Sequence, residues 1–547
     1  MAVVKTKTTV KTKSPVKNTA ILFACGDFRL QNNQNCWLQQ EVLESALTQT
    51  AKNFGYNLVR ANVYNPLSQH GFITSRKECL ETFATISPQS PLIVTNTNEF
   101  SSHNIVPFLL THEGPILTVG HWSGSWQSVD GMLQLNGSLC KAGKQYSTLW
   151  SGDFTDRWFL ERFEKWLKTG IVRFANPHVK PGKSLTVQTK DRQLGEKLAN
   201  EIRVKKSLIG SFDVSSNRMY NTIVPPELLL PLGIYKEAFS QASLYAAAMM
   251  VPDDEARDVY RWVLAKGTLF NVGGDDQDSD LTLQQILLQC KTYIAAVRIA
   301  DEYSCDAIGV PMLPAFKDLL PDSGFIEGLL NNSDRPPVRA QNGRVLFDNK
   351  PVIHFHRGDE LAGVDALLHS RVAQSLGQSP ETTQQELRWG DVDQTNNGKD
   401  FILTFQTDSG VPPQLLDLGW KGMNIVRQLP QFSKQGGGIM HGMCKSGEIV
   451  WSRMFMERGR LCMDIGRGRA LKLQHEEVRR RRMLCTQDWT IMNAILTGVT
   501  KDNLVARNRS NYINVAYADT PKNADHLMAV KAAMVTALGV EVYLCGV

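Results

Sequence analysis

The first half of the chain alternates two hydrophobic periods, and this limits the fold more than any other feature. "TAILFACGD" (19–27) is a continuous apolar run ending in a turn signal, as in a buried strand, while "LQQEVLESALTQTAKNFG" (38–55) spaces its apolar residues as a helix does and ends at Gly55. The alternation continues through "LVRANVY", "SRKECLETFATI", "PLIVTN" and "GPILTVG". Strands that alternate with helices form parallel sheets, so a first α/β domain is expected to about residue 150.

A second round begins near "SLTVQTK" and "KSLIGSFD" and runs through the long helical stretch "DSDLTLQQILLQCKTYIAAVRIADEYSC" to "RPPVRAQNGRVLFDNKPVIHF". From about residue 395 the texture changes. "DFILTFQTD", "GEIVWSRMFMERGRLCMDIGRGRALKL" and "YINVAYAD" are short β segments between Gly-containing turns, with a helix at "NADHLMAVKAAMVTALG". The expected class is α/β: two doubly wound, Rossmann-like domains (19–171 and 172–393) and a mainly antiparallel, barrel-like β domain (394–547). Residues 1–18 are expected to form a disordered basic tail.

Composition excludes several partners. The tail carries Lys5, Lys7, Lys11, Lys13 and Lys17 before the first acidic residue, Asp27, and these account for five of the six net positive charges. The body is then close to neutral, against a nucleic-acid footprint spread over a domain. No apolar run reaches the length of a membrane span, and the N-terminus lacks the apolar core of a secretory signal. Ten scattered cysteines with no C-x-x-C pair point to a reducing compartment, so a cytoplasmic protein is expected. The run Arg479 to Arg482 reads as a solvated helix face.

Common catalytic signatures fail. There is no H-E-x-x-H, no complete Walker A and no G-x-S-x-G; "GRGRA" (466–470) reads as a hairpin turn rather than a dinucleotide loop. What remains is "IHFHRGDELAG" (353–363), with His354, His356, Asp359 and Glu360 grouped around Arg357, and two loops after strands, "GHWSGSWQ" and "GSFDVSSNRMYN". In open α/β sheets such loops line the ligand crevice.

Those loops, with "LLNNSDRPPV", "QELRWGD", "GGGIMHGMCKSGEIVWSR", "NYINVAYA" and the closing "LGVEVYLCGV", resemble the L-fucose isomerase and L-arabinose isomerase superfamily in its own order. The resemblance covers nearly all of residues 19–547. It implies two α/β domains and a barrel-like domain, a homo-oligomer (a hexamer by family), and aldose–ketose interconversion of a small sugar through an ene-diol. It also implies a divalent metal, typically Mn²⁺, clamped across two sugar oxygens.

Three positions carry the family's metal ligands. A motif resembling "HFNEVDE" reads "HFHRGDE" here, placing Arg357 at the ligand glutamate; one resembling "HDLRWGD" reads "QELRWGD", placing Glu386 at the aspartate; one resembling "NHIQVAYA" reads "NYINVAYA", placing Tyr512 at the histidine. Glu386 is the one ligand-type side chain left. Losing the glutamate and gaining Arg357 changes the local charge by two units; at roughly 5 Å and an effective dielectric near 20, each unit disfavours the doubly charged Mn²⁺ by about 7 kcal/mol.

Several roles stay open for these residues. Arg357 is expected either to pair with Glu386 across the former metal site or to stabilise an oxyanion with Asp359 or Glu360 as base. A relocated metal on Asp359, Glu360, His354 or His356 is a third arrangement, and core histidines a fourth. Trp122, Trp126, Asn217, Tyr220, Asp391 and His441 are candidate substrate contacts, weighed against ordinary packing and turn chemistry. Two functions follow from the resemblance: a sugar ketol-isomerase, or a catalytically silent relative that binds a sugar or sugar phosphate or serves in an assembly.

Overall fold

The alternation of periods produces a parallel sheet. A computed structural model describes residues 17–98, 102–184, 187–213, 219–274, 280–310, 316–395, 398, 400–408 and 410–547. The basic tail expected over 1–18 therefore lies, up to residue 16, outside the described residues. β1 (Thr19–Ala24), β2 (Asn57–Arg60), β3 (Leu92–Asn96), β4 (Ile116–His121) and β5 (Ser147–Ser151) lie in the order β2-β1-β3-β4-β5, every pair parallel. The helix after β1 is Leu30–Asn53, and Gly55, at φ 79°, turns the chain into β2.

The chain divides into two compact units, residues 17–122 with 144–173, and residues 123–143 with 174–547. The segment given to the second unit contains the helix Ser128–Lys141, in which every residue from Ser128 to Cys140 is buried. A helix buried all round shows no amphipathic period, so the sequence does not mark which unit it belongs to.

The second unit begins with a smaller parallel sheet, Ser207–Phe212 between Ile234–Phe239 and Ala307–Gly309, with Ile353–His354 at the edge beside Ala307–Gly309. Of the two segments that open this round, "KSLIGSFD" is a strand, whereas the end of "SLTVQTK" enters the helix Thr189–Lys205. The expected α/β class holds: parallel sheets flanked by helices, followed by a mostly antiparallel sheet in the C-terminal region.

That antiparallel sheet closes on itself. Thr382–Val392, Phe401–Thr407, Thr490–Leu496, Arg460–Ala470, Gly447–Glu457 and Tyr512–Ala518 pair in this order, and the last pairs with the first. Glu541–Cys545 and Val179–Pro181 extend it from Arg460–Ala470. The strand Thr382–Val392, left by the sequence division in the second α/β domain, is part of this ring.

"GRGRA" corrects an expectation, because it is the end of the strand Arg460–Ala470 and not a hairpin turn. Its glycines answer to close neighbours: a Cβ on Gly466 would fall 2.7 Å from Trp451 Nε1 and 2.8 Å from the Cys545 carbonyl oxygen. The arginine run is a second correction. In the helix His475–Met483, Arg481 is fully buried, pairing with Glu477 at 2.7 Å and donating to the carbonyls of Ile402 and Asp391. Arg479 alone of the four is exposed, as a solvated face requires.

Candidate functional site

The segment 353–363 leaves the edge of the smaller parallel sheet and turns into a helix. The Phe355 ring fixes the turn: Cβ atoms added at Gly309 and Gly363 would lie 2.1 and 2.4 Å from it, so both positions must stay bare for the ring to seat. Asp359 then caps the helix Glu360–Ser375 by accepting from the Ala362 N–H at 3.0 Å. Between these anchors Arg357 adopts φ 50° and ψ 24°, a left-handed conformation that few residues with a long side chain take.

The turn delivers His356 and Arg357 to two carboxylates from elsewhere in the unit. His356 Nδ1 is 2.8 Å from Glu327 Oε2 and its Nε2 is 2.7 Å from Asp408 Oδ1. Arg357 Nη2 donates to the other Asp408 oxygen at 2.5 Å. His354 shares Glu327, with Nδ1 3.5 Å from Oε2, while its Nε2 accepts from the Val310 N–H at 3.1 Å. All five side chains are buried.

Burial on its own would lower the His356 pKa, but the charges of Glu327 and Asp408 outweigh it and push His356 up to about 10. Burial would likewise raise Glu327; His356 and His354 outweigh it and hold it down at about 2. Asp408 is also held well below the carboxylate range, burial being overcome by Arg357 and His356. His354, further from its carboxylate, is dominated by burial and falls to about 4. The imidazolium and guanidinium thus neutralise two carboxylates, and His354 stays neutral. Asp322, pushed up to about 7 by burial and then by Asp408, completes the surroundings.

The other two positions that the resemblance assigns to metal ligands meet this cluster from the closed antiparallel sheet. Glu386 and Tyr512 are partners on neighbouring antiparallel strands. The Tyr512 ring stands edge-on to the His356 ring, centroids 5.7 Å apart at 88°, and the His356 N–H donates to Gln384 Oε1 at 3.0 Å, two residues from Glu386. Positions 357, 386 and 512, far apart in sequence, are brought together. The carboxylate set against Arg357 is Asp408; the expected partner, Glu386, has Arg388 at 3.8 Å.

Asp359 and Glu360 face other charges. Asp359 pairs with Arg453 at 2.7 Å. Glu360 pairs with Lys236 at 2.7 Å and accepts from the Val224 N–H at 2.8 Å; burial raises its pKa and Lys236 opposes the rise.

The remaining candidates are dispersed. Trp122 belongs to the first unit, where its N–H donates to the Ser151 carbonyl at 2.7 Å; Trp126 is half-buried in the second unit, just before the helix Ser128–Lys141. Tyr220 lies under the Lys141 ammonium, 3.9 Å from the ring centroid. Asn217 lies outside the described residues. Asp391 and His441 are bound by the arginine helix, Asp391 by Arg480 at 3.1 Å and His441 by Arg482 at 3.0 Å. Burial and then Arg482 lower His441 to about 4.

Sequence reasoning missed Glu327, Asp408 and Asp322. Glu327 did carry a signal: it is a single carboxylate inside the apolar run "FIEGLL", and a charge placed so must find a buried partner. Among the described residues, no group of three or more His, Cys, Asp or Glu side chains is arranged to hold a metal ion. No protein-family model matches the chain, and no curated protein matches it.

Proposed function

We propose that this chain is a relative of the L-fucose and L-arabinose isomerases in which built-in cations have replaced the divalent metal, leaving a catalytically silent protein that binds a sugar or serves in an assembly. The observation that carries the reading is the meeting of Arg357, Glu386 and Tyr512 in one buried place, since the resemblance assigns those three positions to one metal. On this reading the two parallel sheets are doubly wound, Rossmann-like units, the chain forms homo-oligomers, and it works in the cytoplasm, where its ten buried, free cysteines stay reduced.

The donor set does not fit Mn²⁺. A metal ligand needs an open lone pair, yet His356 is an imidazolium whose two nitrogens face Glu327 and Asp408, and Arg357 brings a permanent positive charge to the same carboxylate. The carboxylates considered as bases, Asp359 and Glu360, are tied to Arg453 and Lys236. A metal-free isomerase is the second reading, favoured by the fixed guanidinium of Arg357, which can polarise a carbonyl.

One experiment separates the readings. Purified protein is incubated with L-fucose, D-arabinose or L-arabinose, with and without Mn²⁺, and ketose is measured. The silent reading expects none under either condition. Turnover that needs Mn²⁺ and is lost in Glu386→Gln overturns it, and metal-free turnover lost in Arg357→Gln establishes the second reading in its place.

A further inference from the structure

The parallel sheet of the first unit has two edges, and only one is covered. β5 is buried at all five positions, whereas β2, at the other edge, alternates exposed and half-buried residues. The Asn57 N–H donates inward to the Asn18 carbonyl at 2.9 Å, and the Ala61 N–H to the Leu22 carbonyl at 2.8 Å. Alternate residues of a strand bond to opposite sides, so Leu58 and Arg60 direct their N–H and C=O groups to the open side, where they meet no backbone partner among the described residues. Folded proteins blunt such an edge with an outward charge, a proline or a bulge. β2 has none of these: its register is unbroken, and its one charged side chain, Arg60, folds back onto Glu44 at 2.7 Å and onto the carbonyls of Gly71 and Asn62.

The surface around this edge is apolar and already ordered. Leu67 is 94 % exposed, Val63 86 % and Leu38, on the helix Leu30–Asn53, 74 %. The loop carrying Val63 and Leu67 is held by the Asn65 N–H donating to the His70 carbonyl at 3.0 Å and by Gln34 donating to the Ser68 carbonyl at 3.1 Å, so association need not order it. With Val42, Val59 and Tyr64, these residues leave about 700 Å² of side chain in water, near the 800 Å² or so that each partner gives to a standard interface. The charges beside the patch complement themselves. Glu41 and Lys52 are both exposed without an ion-pair partner among the described residues, and antiparallel copies of the helix bring each Glu41 towards the other copy's Lys52.

We propose that a second copy of this chain docks on this edge, β2 pairing antiparallel with its own copy across a two-fold axis at Val59. The open groups set the register. Leu58 exchanges both backbone hydrogen bonds with Arg60 of the second copy, which places the two Val59 residues opposite each other, with Cα atoms about 4.5 Å apart. A patch that pairs with itself in this way makes the isologous contact of a two-fold dimer. The inference gives the homo-oligomer of the proposed function a contact face and rests on that reading in no other respect.

Three variants of the full chain test it. In Val59→Cys the introduced thiols lie within disulfide reach of each other, while the ten native cysteines are buried. Mild oxidation with diamide should therefore convert nearly all of this variant to a covalent dimer on a non-reducing gel. Val204→Cys, 70 % exposed on the helix Thr189–Lys205, should stay monomeric on the same gel. Val59→Lys sets like charges against each other at the axis, so sedimentation velocity should show a particle of half the wild-type mass with an unchanged circular dichroism spectrum. The proposal is overturned by the absence of a cross-link at position 59, by equal cross-linking at positions 59 and 204, or by wild-type mass in Val59→Lys. The last of these leaves a homo-oligomer standing on another face, whereas a monomeric wild type overturns both readings.

Discussion

Arg357 holds Asp408 at 2.5 Å from a backbone at φ 50°. A left-handed conformation costs a non-glycine residue about 1–2 kcal/mol, so the contact has to offset that strain. Removing it leaves two buried carboxylates facing one cation. Arg357→Ala should therefore lower the unfolding free energy of the second unit by about 3–5 kcal/mol, read from urea unfolding followed by circular dichroism. Arg357→Gly loses the same charge but relieves the backbone and should lie about 1 kcal/mol above the alanine variant.

The pH dependence follows from the two opposed shifts. His356 is raised from 6.5 to about 10, so its stabilisation is full below pH 6.5 and fades as pH rises through about 10. Glu327 is lowered from 4.5 to about 2, so its stabilisation is full above pH 4.5 and is lost as pH falls through about 2. Between pH 6 and 8 the imidazole ¹⁵N shifts of His356 should stay those of an imidazolium, and those of His354 should stay neutral. A His356 that titrates near 6.5 would contradict the cluster.

The arginine helix offers a contrast within one run of sequence. Arg481 is fully buried on Glu477 and two carbonyls, whereas Arg479 is exposed. Arg481→Ala should cost about 1–3 kcal/mol by leaving the Ile402 and Asp391 carbonyls without their donor, while Arg480 still holds Glu477 at 2.6 Å, and Arg479→Ala should stay within about 0.5 kcal/mol of wild type in the same unfolding experiment.

The elements legible in the sequence were those whose hydrophobic period reflects one-sided or complete burial. β1, β3 and β4 are apolar runs, and the helix Leu30–Asn53 stops just before its glycine. The helix Ser128–Lys141 was not legible, since burial on all sides erases the period. Arg481 defied its composition for a related reason: Glu477, four residues earlier, neutralises it inside the protein, and a local sequence cannot say which arginine of four turns inward. The candidate site was half legible. Motif order pointed to Arg357, Glu386 and Tyr512, but Glu327 reaches His356 across 29 residues and Asp408 reaches Arg357 across 51, with no spacing rule to announce them.

On the proposed reading, two side-chain cations stand in for a divalent one. Titration of the full chain with Mn²⁺, followed by the electron paramagnetic resonance signal of the free ion, tests it most directly. The free signal should grow from the first addition, in the wild type and in Glu386→Gln alike. Uptake of one equivalent per chain by the wild type, abolished in Glu386→Gln, would contradict it.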